Sequence, residues 1–128
     1  MRNIIKSVVV DRKFPDIASK YELHITYIYF DADAIRVRYT ITPSPYSGSS
    51  DHEGMPIISW SGHAKDDHGE NYQDAGGAIA RADQGGYIDG VLSFLPLPSE
   101  QVRRLDITMV LALNGTTTGT KCEFSIVL

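Results

Sequence analysis

The stretch that most constrains the fold of this chain runs from residue 66 to residue 98. It reads as a polar turn, a short strand that carries a tyrosine, a glycine-rich excursion, and an apolar strand that stops at Pro-Leu-Pro. Short apolar runs bounded by clusters of Gly, Asp, Asn and Pro are typical of antiparallel β-sheets. This stretch therefore predicts an all-β domain.

Alternation of apolar and polar residues extends that prediction along the chain. The runs 21–27 and 35–41 alternate strictly and flank a short Asp/Ala turn, which predicts a β-hairpin. Together with a first strand over residues 4–10, the remaining runs predict an antiparallel immunoglobulin-like β-sandwich of about seven or eight strands, with a small barrel as the geometric alternative. These remaining runs are residues 57–61, a weak strand at 71–80, 87–95, 105–113 and 122–128.

Length and composition predict one globular domain over residues 1–128. The 42% of hydrophobic residues and 22% of charged residues are ordinary for a packed core with a charged surface. A net charge of −4 disfavours a nucleic-acid partner, and no window approaches the roughly 20 apolar residues of a membrane span. The single cysteine excludes an intrachain disulfide, which favours the cytoplasm, while an excised domain of a secreted or envelope protein is the alternative.

Carboxylates are densest in the turn that begins at residue 66. Asp66, Asp67 and Glu70 offer the oxygen ligands that calcium prefers, so they are candidate metal ligands. We expect no cofactor, with calcium at this turn as the alternative. Their spacing does not follow the Asp-x-Asp-x-Asp-Gly pattern of a calcium loop. The favoured interpretation is a solvated turn whose Asp side chains cap backbone N–H groups.

Residues suited to catalysis do not form a known template. His52, His63 and His68 lie close in the sequence, but no cysteine accompanies them as a further metal ligand. Cys122 alternates with apolar residues on a predicted inward face, where a thiol is inert packing. The sequence has no Gly-x-Ser-x-Gly elbow and no phosphate-binding loop, and its double glycines are interpreted as turns or bulges. We therefore expect a protein that is not an enzyme, with a small hydrolase as the least favoured alternative.

Aromatic residues beside loops and strand ends give the stronger functional signal. Tyr46, Tyr72 and Tyr87 occupy such places, where exposed tyrosines supply contact area for a protein or a stacking platform for a sugar ring. These three are the candidate binding residues. Trp60 follows two isoleucines in a predicted strand and is interpreted as a core tryptophan.

The order of features over residues 35–94 resembles that of immunoglobulin-like domains in bacterial envelope and secreted proteins. An alternating strand at 35–41 precedes a loop, and an Asp-x-x-Gly-x-x-Tyr turn follows, here Asp66 to Tyr72. A strand that begins with glycine and ends in Phe-x-Pro comes next, here Gly90 to Pro96. The resemblance implies a binding or spacer module without catalytic residues, and it transfers no site.

These observations predict a noncatalytic module that recognises a protein partner through loops at one end of the sheet. The candidate surface combines the long loop 46–56 with the glycine-rich segment 75–86. The alternative is a carbohydrate-binding module that uses the three tyrosines, with calcium at the acidic turn. A homodimer formed by pairing of edge strands is a further hypothesis.

Overall fold

One sheet of eight antiparallel strands makes up the described part of the protein, which the computed structural model gives for residues 4–17, 21–42, 58–81, 87–113 and 116–128. No helix long and apolar enough to cross a membrane occurs in these ranges. The prediction of an all-β antiparallel fold is confirmed. The strands are β1 (Ile4–Ile17), β2 (Tyr21–Asp31), β3 (Ile35–Thr42), β4 (Ile58–Asp66), β5 (Asn71–Arg81), β6 (Ile88–Leu95), β7 (Arg104–Leu113) and β8 (Thr116–Val127).

The strand order across the sheet is β1-β2-β3-β6-β5-β4-β7-β8. Neighbouring strands are joined by hairpins except where β3 pairs with β6 and β4 pairs with β7. The two outer strands approach each other, and the rings of Phe14 on β1 and Phe124 on β8 have their centroids 6.3 Å apart. The sheet therefore curls until it is nearly a barrel. The division into two sheets that an immunoglobulin-like sandwich requires is not confirmed.

The inner face of the curled sheet holds the core. On β3 every second residue from Ile35 to Ile41 is buried, while the residues between them are half-buried, as the sequence alternation predicted. Each fully buried aliphatic or aromatic side chain contributes roughly 1.5–3 kcal/mol relative to exposure. Cys122 also lies inward with no exposed surface, which confirms its predicted place in the core. The largest fully buried side chains come from the four strands β2, β3, β6 and β7 and include Leu23, Ile28, Ile35, Phe94, Ile107 and Leu111.

Strand β1 is longer than the sequence predicted. Its charged stretch was expected to end the strand at residue 10, but pairing with β2 continues to Ile17. Two register shifts absorb the residues that do not fit the alternation, and in these shifts Asp11 and Asp16 adopt positive φ angles of 50° and 60°. Aspartate tolerates this left-handed conformation better than most residues because its short side chain bonds locally. The bulges therefore allow β1 to continue past the charged residues 11–13, where the sequence predicted that the strand ends.

The glycine-rich segment differs in part from its predicted structure. Residues 75–81 belong to β5, and the register with β6 shifts between Asp74 and Gly77. Gly76 has a φ of +93°, which glycine adopts freely, so the interpretation of this glycine pair as a bulge is confirmed. Gly85 and Gly86 lie outside the described residues. The predicted weak strand at 71–80 is confirmed as part of β5, so the first half of the candidate surface segment 75–86 lies in a strand.

The last strand is longer than the alternating run at 122–128 predicted, because β8 begins at residue 116 and pairs with β7 from there. Before β7 the chain makes a short turn, in which the N–H of Val102 donates to the carbonyl of Ser99 at 3.2 Å.

The sheet has two ends of different construction. We call the end where β1, β3, β5 and β7 finish the loop end, because chain segments 18–20, 43–57, 82–87 and 114–115 connect strands there. The opposite end, which carries the turns 31–35 and 66–71 and the segment 96–103, is called the turn end. Both segments of the predicted binding surface, 46–56 and the second half of 75–86, follow strands that finish at the loop end.

Candidate binding surface at the loop end

At the turn end, the acidic turn is closed by its own first residue. Asp66 is 5% exposed, and its Oδ1 accepts hydrogen bonds from the N–H groups of His68 at 2.8 Å and Glu70 at 3.0 Å. Its Oδ2 accepts a hydrogen bond from the hydroxyl of Tyr72 at 2.7 Å. Burial alone would raise the pKa of this carboxyl, but the bonds from Tyr72, Glu70 and His68 outweigh it and lower the pKa.

The β2–β3 turn is closed in the same way. Asp31 has no exposed surface, and its Oδ1 accepts from the N–H groups of Asp33 at 2.8 Å and Ala34 at 2.9 Å. Its Oδ2 accepts from Nε of Arg36 at 3.0 Å, and Arg36 in turn donates to Oγ of Ser93 at 2.9 Å. Burial opposes ionisation of Asp31, but the backbone N–H groups and the guanidinium lower its pKa to about 2. Two hairpins thus end in equivalent aspartate caps.

The remaining acidic residues of the turn end do not assemble a metal site. Oδ1 of Asp67 accepts from the N–H of Arg103 at 3.2 Å, and this holds the turn against the start of β7. Across the described ranges, no three side chains of His, Cys, Asp or Glu are grouped so that they could hold a metal ion. The structure thus places the candidate ligands Asp66, Asp67 and Glu70 in one turn without grouping them around a common point. The favoured interpretation of the turn, Asp side chains that cap backbone N–H groups, is confirmed for Asp66.

The three candidate tyrosines differ in how the structure places them. Tyr72 is 3% exposed and belongs to the core cluster, so its ring offers almost no surface to a ligand. Burial of its ring and, to a smaller extent, its hydrogen bond to Asp66 raise the pKa of its hydroxyl. Tyr87 is 36% exposed just before β6 at the loop end, where a ligand could reach it. Tyr46 lies outside the described residues.

A cleft opens on the outer face of the loop end. It has a volume of about 350 Å³ and is lined by Pro15, Asp16, Tyr21, Glu22 and Thr42. The pairing of Phe14 with Leu23 and of Ile17 with Tyr21 leaves Pro15 and Asp16 as a bulge opposite Glu22. Because a bulge redirects side chains at the edge of a sheet, this one brings Asp16 to the cleft.

The cleft continues across the neighbouring strands. Glu22 pairs with Thr42 between β2 and β3, and Ile41 pairs with Ile88 between β3 and β6. The antiparallel register of β3 and β6 therefore brings the backbone of Tyr87 beside Thr42. A row of polar and aromatic residues thus crosses four adjacent strands at the loop end.

Trp60 closes the core beneath this end. Its ring packs edge-on against Tyr39 with centroids 5.9 Å apart, and it lies against the buried cluster as a half-buried side chain. It lines a small apolar gap with Leu23, Ile41 and Leu111, among others. Its buried indole Nε1 has no hydrogen-bond partner among the described residues. The interpretation of Trp60 as a core residue is supported by these contacts, although its ring is not fully covered.

The described histidines each have a structural partner. Nε2 of His63 bonds to Oδ1 of Asn71 at 3.1 Å, and Nε2 of His68 bonds to the carbonyl of Gln101 at 3.2 Å. His24 contacts Asp11 at 2.7 Å. His52 lies outside the described residues. These rings are thus engaged with amide, carbonyl and carboxylate groups rather than with a nucleophilic hydroxyl or thiol.

Sequence reasoning missed most of the cleft. Pro15 and Asp16 were interpreted as the region after the first strand, and Glu22 only as the polar side of an alternating strand. One signal was available: proline within a strand is confined to edges and bulges, so Pro15 in an extended β1 marks an irregular edge. Comparison with known proteins adds no assignment, because no family model, curated protein or solved structure matches this chain.

Proposed function

We propose that this protein is a noncatalytic interaction module that recognises a protein partner through its loop end. The contrast between the two ends carries the proposal. At the turn end, the buried carboxylates of Asp31 and Asp66 are fully engaged by the chain's own donors. At the loop end, by contrast, a cleft of about 350 Å³ adjoins an exposed tyrosine and an aspartate in a left-handed conformation.

General properties of binding sites support this choice of end. Binding residues concentrate on loops that a rigid scaffold holds in place, and exposed tyrosines are enriched in protein interfaces. The loop end is where four chain segments connect strands, and Tyr87 lies exposed there just before β6. The immunoglobulin-like resemblance belongs to this proposal as well, because such domains bind through loops gathered at one end.

The carbohydrate-binding alternative is weakened by two observations. Tyr72 is in the core, and the carboxylate of Asp66, which was to hold calcium, accepts backbone N–H groups of its own turn. Of its described tyrosines only Tyr87 stays exposed. Protein recognition needs neither lost component, so it is the function we propose.

Site-specific photocrosslinking tests the proposal. Tyr87 and Leu95 flank the two ends of β6 and are 36% and 43% exposed, so they form a matched pair of positions. A photoreactive benzoylphenylalanine is placed at one position or the other, and each protein is irradiated in an extract of the cells that produce it. We expect a discrete adduct from position 87 that mass spectrometry identifies as one protein. Adducts of equal yield from both positions, or none from position 87, would contradict the proposal.

The single tryptophan provides an independent readout. Trp60 is half-buried beneath the loop end, so its fluorescence should report on binding there and on nothing elsewhere in the chain. Addition of the identified partner is expected to change the emission saturably. The double variant Tyr46→Ala/Tyr87→Ala should lose that response while its unfolding midpoint stays within error of the parent. An unchanged response would remove these tyrosines from the interface.

A further inference from the structure

The loop-end cleft combines apolar walls with two carboxylates. Pro15 and Tyr21 contribute apolar surface, whereas Asp16 and Glu22 contribute the acidic groups. Its volume of about 350 Å³ falls at the lower end of the roughly 300–1,000 Å³ range of small-ligand sites. A cleft of this size admits one long side chain more readily than a chain of sugar rings.

The two carboxylates of the cleft lack partners within the described ranges, in contrast to three other acids of the sheet. Asp11 contacts His24, Asp89 accepts from the hydroxyl of Thr40 at 2.9 Å, and Asp74 accepts from the N–H groups of two glycines. Among the described residues, no hydrogen bond or ion pair engages Asp16 or Glu22.

The backbone at Asp16 adds to this picture. Its φ of +60° is uncommon for a residue other than glycine, and the strain of such a conformation is kept only where the surroundings enforce it. Glycine at position 16 would relieve the strain and lose the carboxylate. The chain instead keeps an acidic residue in the bulge that forms the cleft wall.

We propose that this cleft receives a cationic side chain, an arginine or a lysine, from the protein partner. The apolar walls suit the aliphatic stem of such a residue, and the two unpaired carboxylates suit its charged head. A neutral saccharide would leave both carboxylate charges uncompensated, and an anionic ligand would be repelled. This inference rests on the proposed function, for which it names the chemistry of the partner.

The direct test is a titration followed by two-dimensional NMR of the ¹⁵N-labelled protein. The probe is an acetylated and amidated Gly-Arg-Gly peptide, and the control is the same peptide with neutral citrulline, which has the shape of arginine. We expect saturable shifts of the amide signals of Asp16, Glu22 and Thr42 with the arginine peptide. Binding of the citrulline peptide should be weaker by about threefold to tenfold, as expected for two partly exposed ion pairs.

Matched variants locate the effect. Asp16→Asn removes the charge with a residue that also tolerates the left-handed conformation, and Glu22→Gln removes the other charge at constant shape. The double variant should bind the arginine peptide no better than the citrulline peptide. Glu100→Gln removes an exposed carboxylate at the turn end and should bind like the parent. Raising the salt concentration should weaken binding of the arginine peptide to the parent and leave binding to the double variant unchanged.

Several results would overturn the inference. They are the absence of saturable shifts, equal binding of the two peptides, and undiminished binding by the double variant. If a methyl glycoside shifts the same amide signals and binds with higher affinity than the arginine peptide, the cleft is instead a sugar site. If the photocrosslink at position 87 forms while the arginine peptide fails, the loop-end function stands and the cleft assignment falls. If the peptide binds and no crosslink forms, the protein-partner function falls and the cation site stands.

Discussion

The hydroxyl of Tyr72 donates a hydrogen bond to Oδ2 of Asp66 at 2.7 Å, and both side chains are buried. The bond ties the second residue of β5 to the cap of the turn that precedes it. One tyrosine–aspartate pair thus links the hairpin turn to the core.

Tyr72→Phe is expected to lower the free energy of unfolding by about 1–2 kcal/mol, because the phenylalanine fills the same space but leaves a buried carboxylate oxygen without its donor. Urea unfolding followed by circular dichroism measures the change. Tyr87→Phe, which removes an exposed hydroxyl, is the control and should match the parent. Equal stability of the two variants would show that the bond contributes nothing.

Acid should destabilise the protein in a defined window. The pKa values of Asp31 and Asp66 are lower in the folded state than their ordinary value of 3.8, and that of Asp31 is about 2. Between about pH 4 and pH 2 the unfolded chain therefore binds more protons than the folded one, so the free energy of unfolding should fall as the pH is lowered through this window. Above it, the stabilisation is fully present.

Denaturant unfolding at stepped pH measures this dependence. Asp31→Asn should make the slope between about pH 4 and pH 2 shallower, since the variant lacks one of the two caps that titrate there. Asp33→Asn, which removes an exposed carboxylate of the same turn, is the matched control. The explanation fails if Asp31→Asn keeps the full slope of the parent.

Close packing at Gly62 predicts a coupled pair of substitutions. A Cβ at this position would lie 2.6 Å from Cζ of Phe94, which is fully buried. Gly62→Ala is expected to cost about 1–3 kcal/mol from this overlap, whereas the same change beside Phe94→Leu should cost less. A double-mutant cycle measured by chemical unfolding gives the coupling between the two sites. Simple additivity would show that the ring and the glycine do not constrain each other.

The thiol of Cys122 should be unreactive in the folded protein. It is the only cysteine, it has no exposed surface, and burial raises its pKa to about 11. Because the thiolate is the reactive form, alkylation at pH 8 should proceed only through unfolding. The labelling rate with iodoacetamide should therefore rise with urea in step with the unfolded fraction. Fast labelling in the absence of urea would contradict the buried position.

Much of the sheet could be predicted because alternation depends on local sequence alone. The β2–β3 hairpin and the inward Cys122 follow directly from a period of two residues. The same rule also points inward at Tyr72, which lies between the polar residues Asn71 and Gln73. Its assignment to a binding surface gave more weight to the nearby turn than to the alternation. In the structure the side chain of Tyr72 points inward, as the alternation indicates.

The cleft could not be predicted in the same way. Its shape depends on bulges in β1, and a bulge exists only relative to the register of the neighbouring strand. Asp16 and Glu22 become neighbours because that register leaves an extra residue opposite Glu22, which no local pattern encodes. Strand β3 pairs with β6 although β4 and β5 come between them in the sequence, and this pairing sets Tyr87 beside the cleft. It is likewise a property of the whole topology.

The contact between Phe14 and Phe124 has a consequence for the order of events during synthesis. Strand β1 is synthesised before β8, and nearly all of the other described residues are made between them. Until β8 is made, Phe14 lacks the ring against which it packs, so the nascent chain exposes apolar surface of the kind that chaperones recognise. Two of the seven strand pairings, β3 with β6 and β4 with β7, also join distant parts of the chain, so folding should be slower than for a sheet built of hairpins alone.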